Sequence, residues 1–304
     1  MWYNYEKEGF EHMKQFDGIF TALLTPFDQN DRVNEKVLKE LVAFNIRMGV
    51  RGFYVSGSTA EAFLMTAEER KTVFRIVREA APEQTLIAHI GCLCEKEAEA
   101  LGEYAAALGY DAVSSVAPFY YKFSFEEIRS YYFRLAERVG LPMLVYNFPA
   151  NSGVNLTFEQ LSAFLRDDRI MGIKHTSSDF FTMQCCKSAF PDKIIYNGYD
   201  EMFLAGLSMG ADGGIGSTYN FMADRFAAIQ EHFRNGDKEK AYAMQQEANR
   251  IIRVLCRVGV MQAEKEILNQ LGFDFGVCRR PFGTLTPDQK QLISREIIPK
   301  LSGC

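Results

Sequence analysis

No apolar run in this 304-residue chain approaches the ~20 residues that a membrane-spanning helix needs. Basic charge is not in excess either. Against 39 Asp and Glu stand 34 Lys and Arg, a net charge of -5, which argues against a nucleic-acid or polybasic membrane partner. A small anionic substrate stays open only where a local site supplies its own donors. The four histidines, His12, His89, His175 and His232, form no H-E-x-x-H or comparable ligand pair, so no metal site is expected. The seven cysteines are Cys92, Cys94, Cys185, Cys186, Cys256, Cys278 and Cys304, an odd count without a regular framework or C-x-x-C spacing. They read as reduced thiols and point to the cytoplasm. Residues 1–16 mix charges and aromatics without the apolar segment of a secretory signal, and are expected to be an N-terminal extension. Low-complexity segments are absent as well.

What is present is a repeating alternation. Short strand-like apolar runs fall at 19–24, 52–55, 86–90, 112–116, 143–146, 170–174, 194–196 and 213–216. Segments of helical period separate nearly all of them; Phe125, Ile128, Tyr132, Leu135 and Val139, for example, share one face. Capping-box spacings, Thr66 with Glu69, Ser124 with Glu127 and Thr157 with Gln160, mark helix starts. Strands alternating with helical crossovers imply parallel pairing. Eight repeats, with no G-x-G-x-x-G after the first strand, favour a closed (β/α)8 TIM barrel over an open dinucleotide-binding sheet. The barrel is expected over 17–235. Beyond it the pattern turns helical, with 238–258, 261–271 and a last helix opened by Thr286-Pro287-Asp288-Gln289, so 236–304 reads as a helical extension packed on the barrel.

In such a barrel the residues just after each strand converge on one site. Lys174 ends the sixth run, Ile170-Met171-Gly172-Ile173-Lys174. An ammonium at the mouth of an apolar pocket loses hydration, its pKa falls, and the free amine can attack a carbonyl; the alternative is a structural ion pair or a snorkelling charge. Tyr146 ends the fifth run and could shuttle a proton near Lys174, or simply be a buried tyrosine. The turn Gly57-Ser58-Thr59-Ala60-Glu61 follows the second run, and its hydroxyls and N–H groups could hold a carboxylate. Asn197-Gly198-Tyr199-Asp200-Glu201 follows the seventh, and Gly213-Gly214-Ile215-Gly216-Ser217-Thr218 ends the eighth, where glycines let a ligand approach the backbone. Pro118-Phe119-Tyr120-Tyr121, after the fourth run, reads in isolation as core or interface.

Taken together, the Gly-Ser-Thr-x-Glu turn, Tyr146-Asn-x-Pro-x-x-x-Gly153, Gly172-Ile-Lys174 and Gly213-Gly-Ile-Gly-Ser217 resemble the pyruvate-dependent class I aldolases of the N-acetylneuraminate lyase and dihydrodipicolinate synthase family. The likeness runs from about Asp17 to the C-terminus. Asn197-Gly-Tyr-Asp-Glu201, Pro118-Phe-Tyr-Tyr121 and Ala211-Asp-Gly-Gly-Ile-Gly-Ser-Thr-Tyr-Asn220 are more similar to the sialic acid lyase branch. The synthase branch usually has Gly-Thr-Thr in the turn and an arginine at the position of Asn151. Ala60, Asn151 and His175 depart from the residues the lyases commonly carry, which bears on substrate range and leaves the reaction class intact.

The resemblance implies a metal-free, nucleotide-free aldolase that cleaves N-acetylneuraminate to N-acetylmannosamine and pyruvate through a Schiff base on Lys174, with Tyr146 moving the proton. It implies that Ser58 and Thr59 bind the substrate carboxylate and that Ser58 links Tyr146 to Tyr120 of a neighbouring subunit in a homotetramer. Thr176, Gly198, Asp200, Glu201, Gly216 and Ser217 would contact the sugar, the two acids taking the glycerol-tail hydroxyls. Dihydrodipicolinate synthase, a 2-keto-3-deoxy sugar acid aldolase, and a non-catalytic sugar-binding barrel are the rival readings.

Overall fold

The computed structural model describes residues 15–301; most of the expected extension over 1–16 therefore lies outside the described residues. Eight parallel strands close on themselves: β1 Gly18–Ala22, β2 Gly52–Val55, β3 Thr85–His89, β4 Ala112–Val116, β5 Met143–Asn147, β6 Ile170–His175, β7 Ile194–Asn197 and β8 Gly213–Gly216. β8 pairs with β1, so no edge is left open. Each strand matches an expected run to within two residues. A helix follows each strand, and the boxes at Thr66, Ser124 and Thr157 cap three of them as their spacing predicts.

Two apolar layers hold this arrangement. The inner one fills the barrel with Phe16, Phe20, Tyr54, Ile87, Leu144, Tyr146, Met171, Tyr196 and Ile215, among others. Phe16 belongs to that layer, and the Tyr196 hydroxyl donates to its carbonyl at the N-terminal floor. The outer layer packs the opposite strand faces, such as Phe53, Leu86, Val113, Val145 and Ile173, against the helices. Each large side chain removed from water contributes about 1.5–3 kcal/mol.

One irregularity matters for the site. Met143 pairs with Ile170 but Leu144 pairs with Gly172, so Met171 is an extra residue in β6. Met171 and Lys174, three residues apart, consequently both face the interior, which strict alternation would forbid.

The C-terminal helices Lys238–Val258, Val260–Gln270 and Pro287–Glu296 lie where the last part of the sequence predicts them. They grip the strand-end loops through polar contacts. Lys265 forms a buried ion pair of 2.5 Å with Glu61, and the Arg279 N–H donates to the same carboxylate at 2.7 Å. Gln245 donates to the Asp200 carbonyl and Asn249 to that of Glu201, at 3.0 and 2.9 Å.

Candidate active site

Lys174 is a buried cation near the C-terminal end of β6. It is 4% exposed, and its Nζ lies 4.2 Å from the ring centre of Tyr54 and 4.1 Å from that of Tyr146. Ring faces hold an ammonium only partly as well as water does, so burial lowers its pKa from 10.5 to about 7, the charge of Asp200 opposing the fall. A substantial fraction is then free amine at neutral pH.

Tyr146 is the register partner of Lys174 on β5 and stacks on Phe148. Burial pushes its phenol well above the ordinary tyrosine value, while the hydroxyls of Ser58 and Thr176 favour the phenolate. The Thr176 hydroxyl nevertheless makes no hydrogen bond of normal geometry, although it is buried.

Ser58 and Thr59 open the short helical turn Ser58–Ala60, whose internal bonds are donated by Ala60, Glu61 and Ala62. The N–H groups of Ser58 and Thr59 thus stand at the start of the turn, where an anion is favoured. Two non-glycine residues in the left-handed region flank it, Ser56 and Glu61, both with φ of 60°. Such positions persist only when their surroundings over-determine them. Arg70 Nε and His89 Nδ1 hold Ser56 at 3.1 and 3.0 Å, and Lys265 with Arg279 holds Glu61. Ala60, where the resemblance expects glycine, is buried and needs no positive φ, so it fits without strain.

Across the barrel mouth, Asp200 is 6% exposed and accepts from the Thr218 N–H and hydroxyl at 2.9 and 2.7 Å, both through Oδ2. Its Oδ1 has no partner. Burial lifts the carboxyl to about 6, against the pull of those bonds. Gly216 and Gly198 are required here: an added Cβ would stand 2.0 Å from Asp200 Oδ1 and 1.9 Å from Thr176 Oγ1, respectively. Glu201 sits beside Asp200 on the same turn, half-buried. A cavity of about 580 Å³, lined by Ser58, Phe63, Val116, Phe119, Phe148 and Asn151, borders the site at Ser58; neither Lys174 nor Asp200 lines it. Among the described residues no group of three or more His, Cys, Asp or Glu could hold a metal ion, and no helix is long and apolar enough to cross a membrane.

The dihydrodipicolinate synthetase family matches residues 15–299. The chain belongs to that family. Within it, the chain is 43% identical over 294 residues to the N-acetylneuraminate lyase of Enterobacter sp. (strain 638), covering 94% of this chain and 99% of that one. The crystal structure of N-acetylneuraminate lyase from Fusobacterium nucleatum complexed with pyruvate superposes with a TM-score of 0.88 at 37% identity, covering 93% and 98% of the two chains. The CdNal protein from Clostridium difficile in complex with mannosamine does so with a TM-score of 0.89 at 36% identity, covering 91% and 97%.

Of the residues expected in this family member's site, Lys174, Tyr146, Ser58 and Thr176 meet at one centre, and Asp200 acts on Lys174 through its charge. Thr59, Gly198, Glu201 and Ser217 lie on the segments that follow β2, β7 and β8, and Gly216 ends β8 itself. Tyr120 does not join them within its own chain: it has φ of 81°, is 82% exposed and packs edge-on against Tyr121. His175 is a neutral ring behind the strand, its Nε2 donating to the Asp179 carbonyl and its Nδ1 accepting from Asn147. Asn151 lines the cavity wall.

Four contributors escape a reading of strand ends alone. Tyr54 faces Lys174 from the middle of β2, an inward position that two-residue alternation could have supplied. Gln245 and Asn249 reach the loop after β7 from the C-terminal extension, and Glu264 accepts from Ser217 at 2.6 Å. Glu264 carried a signal, an acid on the apolar face formed by Ala263, Ile267 and Leu268.

Proposed function

We propose that this protein is a class I aldolase that cleaves N-acetylneuraminate, reversibly, to N-acetylmannosamine and pyruvate. The observation that carries the reading is Lys174: an amine enclosed by two tyrosine rings with its pKa lowered to about 7, in a chain whose relatives are named as lyases of this substrate.

The amine attacks the C2 ketone of the open-chain sugar acid and gives a carbinolamine, with Ser58 and Thr59 holding the carboxylate beside it. The carbinolamine hydroxyl leaves as water with the proton of the Tyr146 phenol. That step produces the iminium and the phenolate together, so burial need not support a lone phenolate in the free enzyme. The phenolate then takes the C4 hydroxyl proton, the C3–C4 bond breaks, and its electron pair passes to the iminium nitrogen. N-acetylmannosamine leaves, and the enamine is protonated at C3. Water hydrolyses the resulting imine, releasing pyruvate and restoring the amine. Thr176, Gly198, Asp200, Glu201, Gly216 and Ser217 receive the sugar, and a site with fixed acceptors rejects substrates lacking the matching hydroxyls.

The same reading has the protein working as a cytoplasmic homotetramer, with no external cofactor, in which Tyr120 of one copy reaches the Ser58 of another. Free thiols at the six described cysteines and the exposure of Tyr120 beside Tyr121 and Phe123 support it.

Borohydride added with pyruvate should leave a three-carbon adduct on Lys174, and incubation with N-acetylneuraminate should yield N-acetylmannosamine. Labelling or cleavage that survives Lys174→Ala would sink the mechanism. Condensation of pyruvate with aspartate semialdehyde in place of sialic acid cleavage would move the protein to the synthase reaction.

A further inference from the structure

Glu264 is a buried acid outside the mechanism. It is 0% exposed on the Val260–Gln270 helix, its Oε1 accepts from the Ser217 hydroxyl at 2.6 Å, and its Oε2 has no hydrogen-bond partner. Lys265, the next residue, is turned to Glu61 and gives it no compensating charge. Its neighbours on the buried face, Ala263, Ile267 and Leu268, show that an apolar side chain would suit the helix. An acid there costs stability, because a buried polar group without its full set of hydrogen bonds is penalised. Asp200, close enough to repel it, also leaves one carboxyl oxygen unpartnered.

We propose that Glu264 is a positioning residue that turns Ser217 into a fixed hydrogen-bond acceptor and so, with Asp200, sets the preference for substrates carrying a polyhydroxyl tail. The proposal rests on the sialic acid reading above. A hydroxyl has one proton; once Ser217 has given it to Glu264, Oγ can accept from a ligand hydroxyl but has nothing to donate. Asp200 Oδ1, enclosed against Gly216 and without a partner, is a second fixed oxygen, held still because Oδ2 is committed to Thr218. An immobile acceptor at Ser217, with the unpartnered Asp200 oxygen behind Gly216, fits a polyol and leaves a tail-less substrate with unpaired groups. Burial, aided by Asp200, raises the Glu264 carboxyl to about 8, so near neutral pH it is a neutral acid with Oε1 accepting from Ser217. A glutamine reproduces that pattern, its carbonyl toward Ser217 and its amide group in place of Oε2.

The test is steady-state kinetics on full-length Glu264→Leu, Glu264→Gln, Ser217→Ala and Glu264→Leu/Ser217→Ala proteins, with borohydride trapping of pyruvate as the readout independent of the tail. Glu264→Leu should raise KM for N-acetylneuraminate about tenfold, the equivalent of one hydrogen bond, with kcat and pyruvate trapping within about threefold of the parent. Glu264→Gln should stay near the parent at pH 7, and the double variant should be no worse than Ser217→Ala alone. An unchanged KM in Glu264→Leu, a parallel loss of trapping, additive effects in the double variant, or a Gln variant as poor as the Leu one overturns the proposal. If the parent protein traps pyruvate but leaves N-acetylneuraminate intact, the substrate reading itself has failed; if the parent cleaves it and only the variant pattern is wrong, the fault lies with Glu264.

Discussion

Tyr146 and Lys174 are register partners on adjacent strands, and the lysine nitrogen stands 4.1 Å from the centre of the phenol ring. The pairing keeps the proposed nucleophile dry and within reach of the group proposed to carry its protons. Lys174 needs that dryness, since in water its amine would be almost wholly protonated at neutral pH.

The rate of pyruvate trapping should rise with pH through about 7 and level off by about 8, because only the free amine of Lys174 attacks. Single-turnover trapping from pH 5.5 to 9.5 reads this directly. A rate still climbing in proportion to hydroxide at pH 9.5 would mean an ordinary lysine.

The same shift makes Lys174 a stability liability. Its folded pKa, about 7, lies below the unfolded value of 10.5, so below pH 7 both states are protonated and the full cost of the buried charge is present. Between pH 7 and 10.5 the unfolded chain holds the extra proton, and stability recovers as pH rises. Lys174→Met should therefore stabilise the fold by several kcal/mol at pH 6, less at pH 9, by urea denaturation at each pH. Equal increments at both pH values would contradict the shift.

Tyr146→Phe removes the proton carrier but keeps the stacked ring. We expect kcat to fall by about 10²–10⁴ with KM little changed, while a slower borohydride adduct still forms on Lys174. Rapid-quench comparison of adduct formation with turnover separates the two steps; full activity in this variant would remove Tyr146 from the mechanism.

Gly216→Ala would drive a methyl group to 2.0 Å from Asp200 Oδ1, whereas Gly283→Ala meets nothing within 4 Å. The first should raise KM for N-acetylneuraminate about tenfold or more and spare pyruvate trapping; the second should do neither. Parallel kinetics on the two proteins, with a melting curve for each, checks this.

Glu61→Ala strands the Lys265 charge, 1% exposed, in the interior and should cost about 3–5 kcal/mol in a urea titration. Combining it with Lys265→Met should recover part of that loss. A double variant as unstable as the single one would assign the cost to the Arg279 N–H left without its acceptor instead.

Much of this architecture is legible along the chain. The strand runs, the capping boxes and the helix opened by Thr286 are local signals, set by the alternation of side chains and by hydrogen bonds spanning three residues. The barrel rule then brings Lys174, Tyr146, Ser58 and Asp200 to one end. Tyr54 and Glu264 were not legible in that way, because neither follows a strand. Tyr54 acts from mid-strand, and Glu264 acts from a helix that the strand-by-strand logic treats as packing.

By itself, then, the sequence determines the periodicities, hence the parallel barrel, and the residue types at strand ends, hence an amine and a phenol suited to carbonyl chemistry. Only the tertiary structure decides their protonation and their supports. The pKa of Lys174 depends on two rings from β2 and β5 closing over it, and the posture of Ser217 and Asp200 depends on helices far along the chain. Burial and through-space charge have no signature in local spacing, because they arise when distant segments exclude water together.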